Sequence, residues 1–234
     1  MAAHAPAHGH GHVEGQDEVF HQYKDLGQQN ESYLVGMWAF LVTEVMFFGA
    51  LFTMYMLYRW QNAEDFYKIH RSLNLWYGGA NTFVLLVSSF SMAMAVYYAQ
   101  NKNRKMQQAM LGFTCACAFV FLGIKILFEW IPKFQHGLLP GPAFTWGYEG
   151  MDPVAATADP SVAQLFYSLY FAMTGLHGIH VVVGILVIGA LMFMTAKKYP
   201  QVESYIPTEM VGLYWHFVDL VWIFLYPLFY LIPQ

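Results

Sequence analysis

Five long apolar stretches constrain this chain more than any other feature. They lie at about residues 33–58, 75–99, 107–130, 162–195 and 210–232. A helix rises about 1.5 Å per residue, so about 20 apolar residues cross the roughly 30 Å of bilayer hydrocarbon, and every one of the five is long enough. The expected fold is all-α, a polytopic membrane helical bundle with five transmembrane helices. Composition agrees: 57% of the residues are hydrophobic and 11% charged, against roughly 25% charged in an ordinary soluble domain. That excludes a soluble globular enzyme. Eleven Lys and Arg against 15 Asp and Glu give a formal charge of -4, leaving no basic surface to grip a phosphate backbone and no nucleic-acid partner.

Two regions are expected. Residues 1–32 are small and polar and hold His4, His8, His10, His12 and His21, which reads as a His-rich, disordered tail. A His-rich tract can bind transition metals, but these histidines have no partner spacing. The tail has no basic start followed by an apolar run, so it is not read as a signal peptide. Residues 33–234 form the five-helix domain. An odd number of spans puts the termini on opposite sides. Lys24, Lys102, Arg104, Lys105, Lys197 and Lys198 then share one side, against Arg59, Lys68, Arg71 and Lys133 on the other. The positive-inside rule makes the N-terminus cytoplasmic and the C-terminus periplasmic. Trp60, Trp76 and Trp130 close the outward ends of the first three spans, where indole rings favour the headgroup zone. Residues 131–161 form a long loop rich in Pro, Gly and acids, and no internal repeat suggests a two-halved transporter.

Ionisable groups within the spans need a partner or a purpose, because a charge at a helix centre costs about 2.5–3.5 kcal/mol on insertion scales. Glu44 lies one or two residues from the middle of its span, about 2–3 Å from the midplane. It serves either as a structural hydrogen-bonding group to a neighbouring helix or in proton handling. His177 and His180, three apart, occupy nearly the same helical face, and one of them could meet Glu44. Imidazoles also ligate iron and copper, but further ligands would have to come from scattered positions. Lys125 and Glu129, four apart near the end of the third span, suit an intrahelical ion pair, either snorkelling or touching a lipid headgroup or partner. His216 and Asp219 share a face of the fifth span, where the carboxylate could accept from the imidazole and fix its tautomer. Cys115 and Cys117 fall on different faces of one helix, so they read as small packing residues. No phosphate loop, nucleophile elbow or H-E-x-x-H is present.

The run Tyr214-Trp215-His216-Phe217-Val218-Asp219-Leu220-Val221-Trp222, with Phe224-Leu225-Tyr226, resembles the closing helix of cytochrome c oxidase subunit III in the haem-copper oxidases. Thr174-Gly175-Leu176-His177-Gly178-Ile179-His180-Val181 is similar to the family's T-G-x-H-G-x-H-V stretch, and Thr43-Glu44-Val45-Met46-Phe47-Phe48-Gly49 to its S-E-x-x-F-F segment. Asn81-Thr82, Leu85-Leu86, Ser88-Ser89 and Glu129-Trp130 resemble further parts, so the likeness runs from about residue 33 to 232. Longer members have seven helices and this chain resembles their last five, as in the short five-helix prokaryotic form. Lys125 and Ile126 depart from the family pattern.

The resemblance implies an accessory, non-metal-binding subunit of a proton-translocating terminal oxidase in aerobic respiration, in a bacterial inner membrane. Haem and copper would lie in partner subunits, with the catalytic subunit I reducing oxygen to water and pumping protons. This chain would brace subunit I, bind phospholipid and support proton uptake, with no catalytic site of its own and Glu44 as the family's buried membrane carboxylate. A respiratory supercomplex is a further setting. The electron donor, cytochrome c or quinol, stays open, with Thr43-Glu44 leaning toward cytochrome c. Competing readings are an independent proton or ion transporter relaying through Glu44, His177, His180 and Asp219; a nitric-oxide-reductase-associated homologue; and a membrane enzyme with its own metal.

Overall fold

In the computed structural model, residues 23–199, 202 and 204–232 are described, so most of the His-rich tail lies outside the described residues. Helix α1 spans Leu26–Gln61, α2 Ala63–His70, α3 Leu75–Gln100 and α4 Arg104–Ile124. A π-helical stretch, Lys125–Trp130, continues α4 into α5, Ile131–Gln135, and α6 (Pro160–Lys197) and α7 (Ile206–Tyr230) complete the chain. Five helices, counting α4 to α5 as one, are long and apolar enough to cross a membrane. Among the described residues there is no strand.

Helix boundaries follow local capping. Asp25 accepts from the Gln28 amide at 2.7 Å and starts α1 seven residues before the apolar run, so residues 26–32, expected in the tail, are helical. Asn74, Asn103 and Asp159 accept amide hydrogen bonds at the starts of α3, α4 and α6, each satisfying an N–H that the helix leaves unpaired. At the opposite ends of α3 and α6, Lys102 (φ 54°) and Lys198 (φ 57°) adopt the left-handed conformation that usually goes to glycine. Their charge favours the carbonyl end of a helix.

The segment between the first two spans contains a helix that the apolar runs did not reveal. In α2, Glu64 and Asp65 occupy the first turn and Lys68 and His70 the last, complementing the helix dipole, while Phe66 and Ile69 are buried. Apolar periodicity over eight residues is too short to separate from loop. The long loop folds back over α2: Arg71 pairs with Asp152 at 3.3 Å, and Thr145 donates from its amide to the Gly137 carbonyl at 3.0 Å.

Helix α7 is the pillar, with half of its most apolar window buried, against 11% for α1. It packs on α1, α3 and α6, and α4 packs on α3 and α6. Close approach depends on two glycines: a Cβ at Gly184 would meet the Trp215 ring at 2.6 Å, and one at Gly78 the Tyr226 ring at 2.8 Å. Polar cross-links fix the helices further. Trp215 donates to Ser88 Oγ (3.0 Å), Trp222 to Thr82 Oγ1 (3.1 Å) and Gln107 to Thr208 Oγ1 (2.9 Å), the first and last buried and the second partly so, each joining a different helix pair or level.

Candidate functional site

Two ionisable pairs organise the interior. The first joins α1 to α6: His180 Nε2 lies 3.1 Å from Glu44 Oε2. The other ring nitrogen, Nδ1, is 2.8 Å from the Leu176 carbonyl. A carbonyl only accepts, so Nδ1 carries a proton and Nε2 of a neutral ring has a lone pair. The bond to Glu44 therefore holds one proton, as imidazolium with carboxylate or as imidazole with carboxylic acid. Phe48 packs edge-on against His180 at 5.3 Å, and the Tyr214 hydroxyl donates to the His180 carbonyl at 3.1 Å. The side chains of Glu44 and His180 are 21% and 17% exposed, so the pair opens sideways between α1 and α6.

The second pair lies at the α2 end. Lys125 and Glu129 form the expected i, i+4 ion pair, and their side chains are only 3% and 2% exposed. The pair is thus enclosed in the bundle rather than snorkelling to the surface. The reason is a tyrosine cage from distant helices. Lys125 Nζ donates to Tyr170 (3.0 Å) and Tyr230 (2.9 Å), while both hydroxyls donate to Glu129 Oε2 at 2.7 and 2.5 Å. The ammonium also sits over the rings of Tyr170, Trp222 and Tyr230 at 4.8–5.4 Å.

The remaining candidates separate. His177 is buried with both ring nitrogens unpartnered, edge-on to Phe121 and 5.2 Å from the Trp222 ring. Three residues turn a helix through about 300°, and the missing 60° aims His177 at α4 and α7 and His180 at α1. The expected bond between His216 and Asp219 is not made. His216 Nδ1 is instead 2.7 Å from Ser89 Oγ, and both Asp219 carboxyl oxygens are buried without a hydrogen-bond partner. Among the described residues no group of three or more His, Cys, Asp or Glu could hold a metal ion.

The family model described as cytochrome c oxidase subunit III matches residues 149–233, which carry His177, His180, His216 and Asp219. Relatives match over nearly the whole chain. The probable quinol oxidase subunit 3 of Staphylococcus epidermidis is 27% identical over 212 residues, covering 87% of this chain and 90% of that protein. The cytochrome c oxidase subunit 3 of Bacillus sp. (strain PS3) is 27% identical over 208 residues, covering 87% of each. The chain is similar to oxidase subunit 3 proteins over most of its length.

That similarity agrees with five helices long and apolar enough to span a membrane. It leaves the side chains that complete the two ionisable pairs to be found by structure. Tyr170 and Tyr230 gave no sequence signal, and Tyr214 and Ser89 stood in the family-like stretches without a partner assigned, because each acts on a helix distant in the chain. Lys133 was read only as a loop charge, yet it is buried, donates to the Glu129 carbonyl at 3.3 Å and lies over the Tyr170 ring.

Proposed function

We propose that this chain is an accessory, non-metal-binding subunit III of a haem-copper terminal oxidase, seated in a bacterial inner membrane with its N-terminus in the cytoplasm. Its partner subunits hold haem and copper, reduce oxygen to water and pump protons, while this chain braces the catalytic subunit I, binds lipid and supports proton uptake. The observation that carries this reading is the pairing of its ionisable groups. Glu129 and Lys125 complete each other within the bundle, Glu44 is held by His180, and His177 and Asp219 are not hydrogen-bonded to either pair or to each other. Such an arrangement fits architecture better than a relay, which needs successive groups in hydrogen-bonding contact. The named relatives include both quinol and cytochrome c oxidase subunits, so either donor suits this chain.

Purification from native membranes in mild detergent tests the assignment. A haem-bearing chain with a haem-copper optical spectrum should accompany this subunit; a stable, functional monomer with no such companion would overturn it. Reconstitution of the chain alone in vesicles addresses the transporter reading, which requires a proton flux abolished by Glu44→Gln.

A further inference from the structure

At the α2 end, a cavity of about 190 Å³ opens beside the π-helical stretch and the long loop. Glu129, Lys133, His136 and Tyr148 supply its polar side, and Tyr77 and Phe128, stacked at 5.4 Å, its apolar side. Two buried groups are incompletely used here. Oε2 of Glu129 accepts from Lys125, Tyr170 and Tyr230, but Oε1 of the same 2%-exposed side chain has no partner. Lys133 is 8% exposed and makes a single hydrogen bond, to a backbone carbonyl, and no ion pair among the described residues.

Charge decides what could complete the site. Lys125 already pairs with Glu129, so two lysines share one carboxylate and the enclosed cluster carries an excess positive charge. A buried charge without a counter-charge is expensive. Water could supply hydrogen bonds to Lys133 and Oε1 but would leave that excess in place. An occupant must therefore bring negative charge, accept from Lys133 and donate to Glu129 Oε1. We propose that this cavity binds a phosphate group that carries a hydroxyl, the phosphate oxygens accepting from Lys133 and the hydroxyl donating to Oε1 of Glu129. His136, exposed and stacked on Tyr148 at 4.1 Å, adds a donor at the rim.

Two sources offer this chemistry: a hydroxylated phospholipid headgroup such as phosphatidylglycerol, or free dihydrogen phosphate. The headgroup is well placed. Trp60 and Trp76 are the most exposed indoles at this end, and they mark the interfacial level at which the cavity opens. The inference deepens the lipid-binding part of the proposed function but is independent of oxidase membership, which fails on the absence of a haem-bearing companion and not on any binding result.

The test uses the protein as purified with its companions, stripped of lipid and titrated with phosphatidylglycerol, phosphatidylcholine or inorganic phosphate, with adducts counted by native mass spectrometry. Phosphatidylcholine has the phosphate but no headgroup hydroxyl. Phosphatidylglycerol should be retained about 10-fold better, and Lys133→Gln should weaken its retention by about 10-fold, as loss of a charged hydrogen bond to the phosphate does. Lys133→Arg should restore most of it, and Lys102→Gln at the opposite end should change nothing. Should Lys133→Gln fail to fold, His136→Ala on the exposed rim should still weaken retention by about 3-fold, a smaller loss expected of a hydrogen bond at a wet edge. Lys133-dependent binding of inorganic phosphate without phosphatidylglycerol would uphold the site and assign it to the free ion. Equal retention of both lipids with no phosphate binding, or retention indifferent to Lys133 and His136, would overturn it.

Discussion

Glu129 and Glu44 each meet a basic side chain inside the membrane-spanning bundle, in opposite surroundings. Glu129 is enclosed with Lys125 by two tyrosine hydroxyls and three aromatic rings. Glu44 reaches His180 across the thinly packed seam between α1 and α6, where both side chains remain partly exposed. The first arrangement suits a permanent ion pair, since its hydrogen bonds are supplied by rigid neighbours. The second holds a single shared proton at a place that lipid or a partner helix can reach. The same residue chemistry thus serves a lock at one end and an adjustable contact near the middle.

Breaking the lock should give the largest effect. Lys125→Met removes the cation and leaves the Glu129 carboxylate enclosed, which should cost about 3–5 kcal/mol. Replacing both, Lys125→Met with Glu129→Leu, should recover part of that loss, because an apolar pair of similar volume carries no desolvation penalty of its own, although buried Lys133 then loses its nearby carboxylate. Thermal unfolding of the four proteins in detergent measures the coupling. Additive losses, with no recovery in the double variant, would mean that the tyrosine cage stabilises each residue separately and that the two are not one unit.

The seam should respond more mildly and more selectively. A hydrophobic carbodiimide, which attacks protonated carboxyls, should label Glu44 in preference to Glu129, since only Glu44 is reachable from the hydrocarbon. In Glu44→Gln the amide N–H can donate to His180 Nε2, which accepts when Nδ1 is committed to the Leu176 carbonyl. That substitution should cost less than about 1 kcal/mol, whereas Glu44→Leu leaves the imidazole nitrogen unpaired and should cost about 1–3 kcal/mol. Labelled peptides identified by mass spectrometry, together with retention of the subunit in its complex, decide the matter. Preferential labelling of Glu129 would reverse the two roles.

These two pairs also show where sequence reading succeeds. Spacing alone gave the Lys125 and Glu129 pair and allowed a histidine three residues from another to meet Glu44, because both follow from helix geometry. The five spans were legible for the same reason: their lengths match a bilayer. Burial of the first pair was not legible, since it depends on Tyr170 and Tyr230, 41 and 101 residues away from Glu129. The π-helical stretch and α2 were equally hidden, one because a widened turn leaves the apolar run unbroken, the other because eight residues hold barely two turns. His216 chose Ser89 on α3 over Asp219 on its own helix, a choice made by packing between helices. Family likeness identified α6 and α7 and still said nothing of these partners.

A third ion pair, in water, sets the lower end of the scale. Asp152 Oδ1 accepts from the amides of Val154 (2.8 Å) and Ala155 (3.3 Å), and Oδ2 faces Arg71 at 3.3 Å. Burial alone would raise its pKa, but those amides and the guanidinium hold it below the usual carboxylate value, about 3.9 in an unfolded chain. A depressed folded pKa means that the unfolded loop binds more protons in the intervening range. The stabilisation is therefore complete above the usual carboxylate range and disappears as the pH falls through the lower folded value. Amide exchange at Val154 and Ala155, corrected for the intrinsic rate, should accelerate as the pH drops through that window, while the amides around Glu129 and His180 stay protected. Asp152→Asn should abolish the pH dependence, and Arg71→Gln should move its midpoint upward. Loss of protection in the spans over the same window would mean that the long loop holds the bundle together, and the ranking from enclosed to exposed pairs would have to be abandoned.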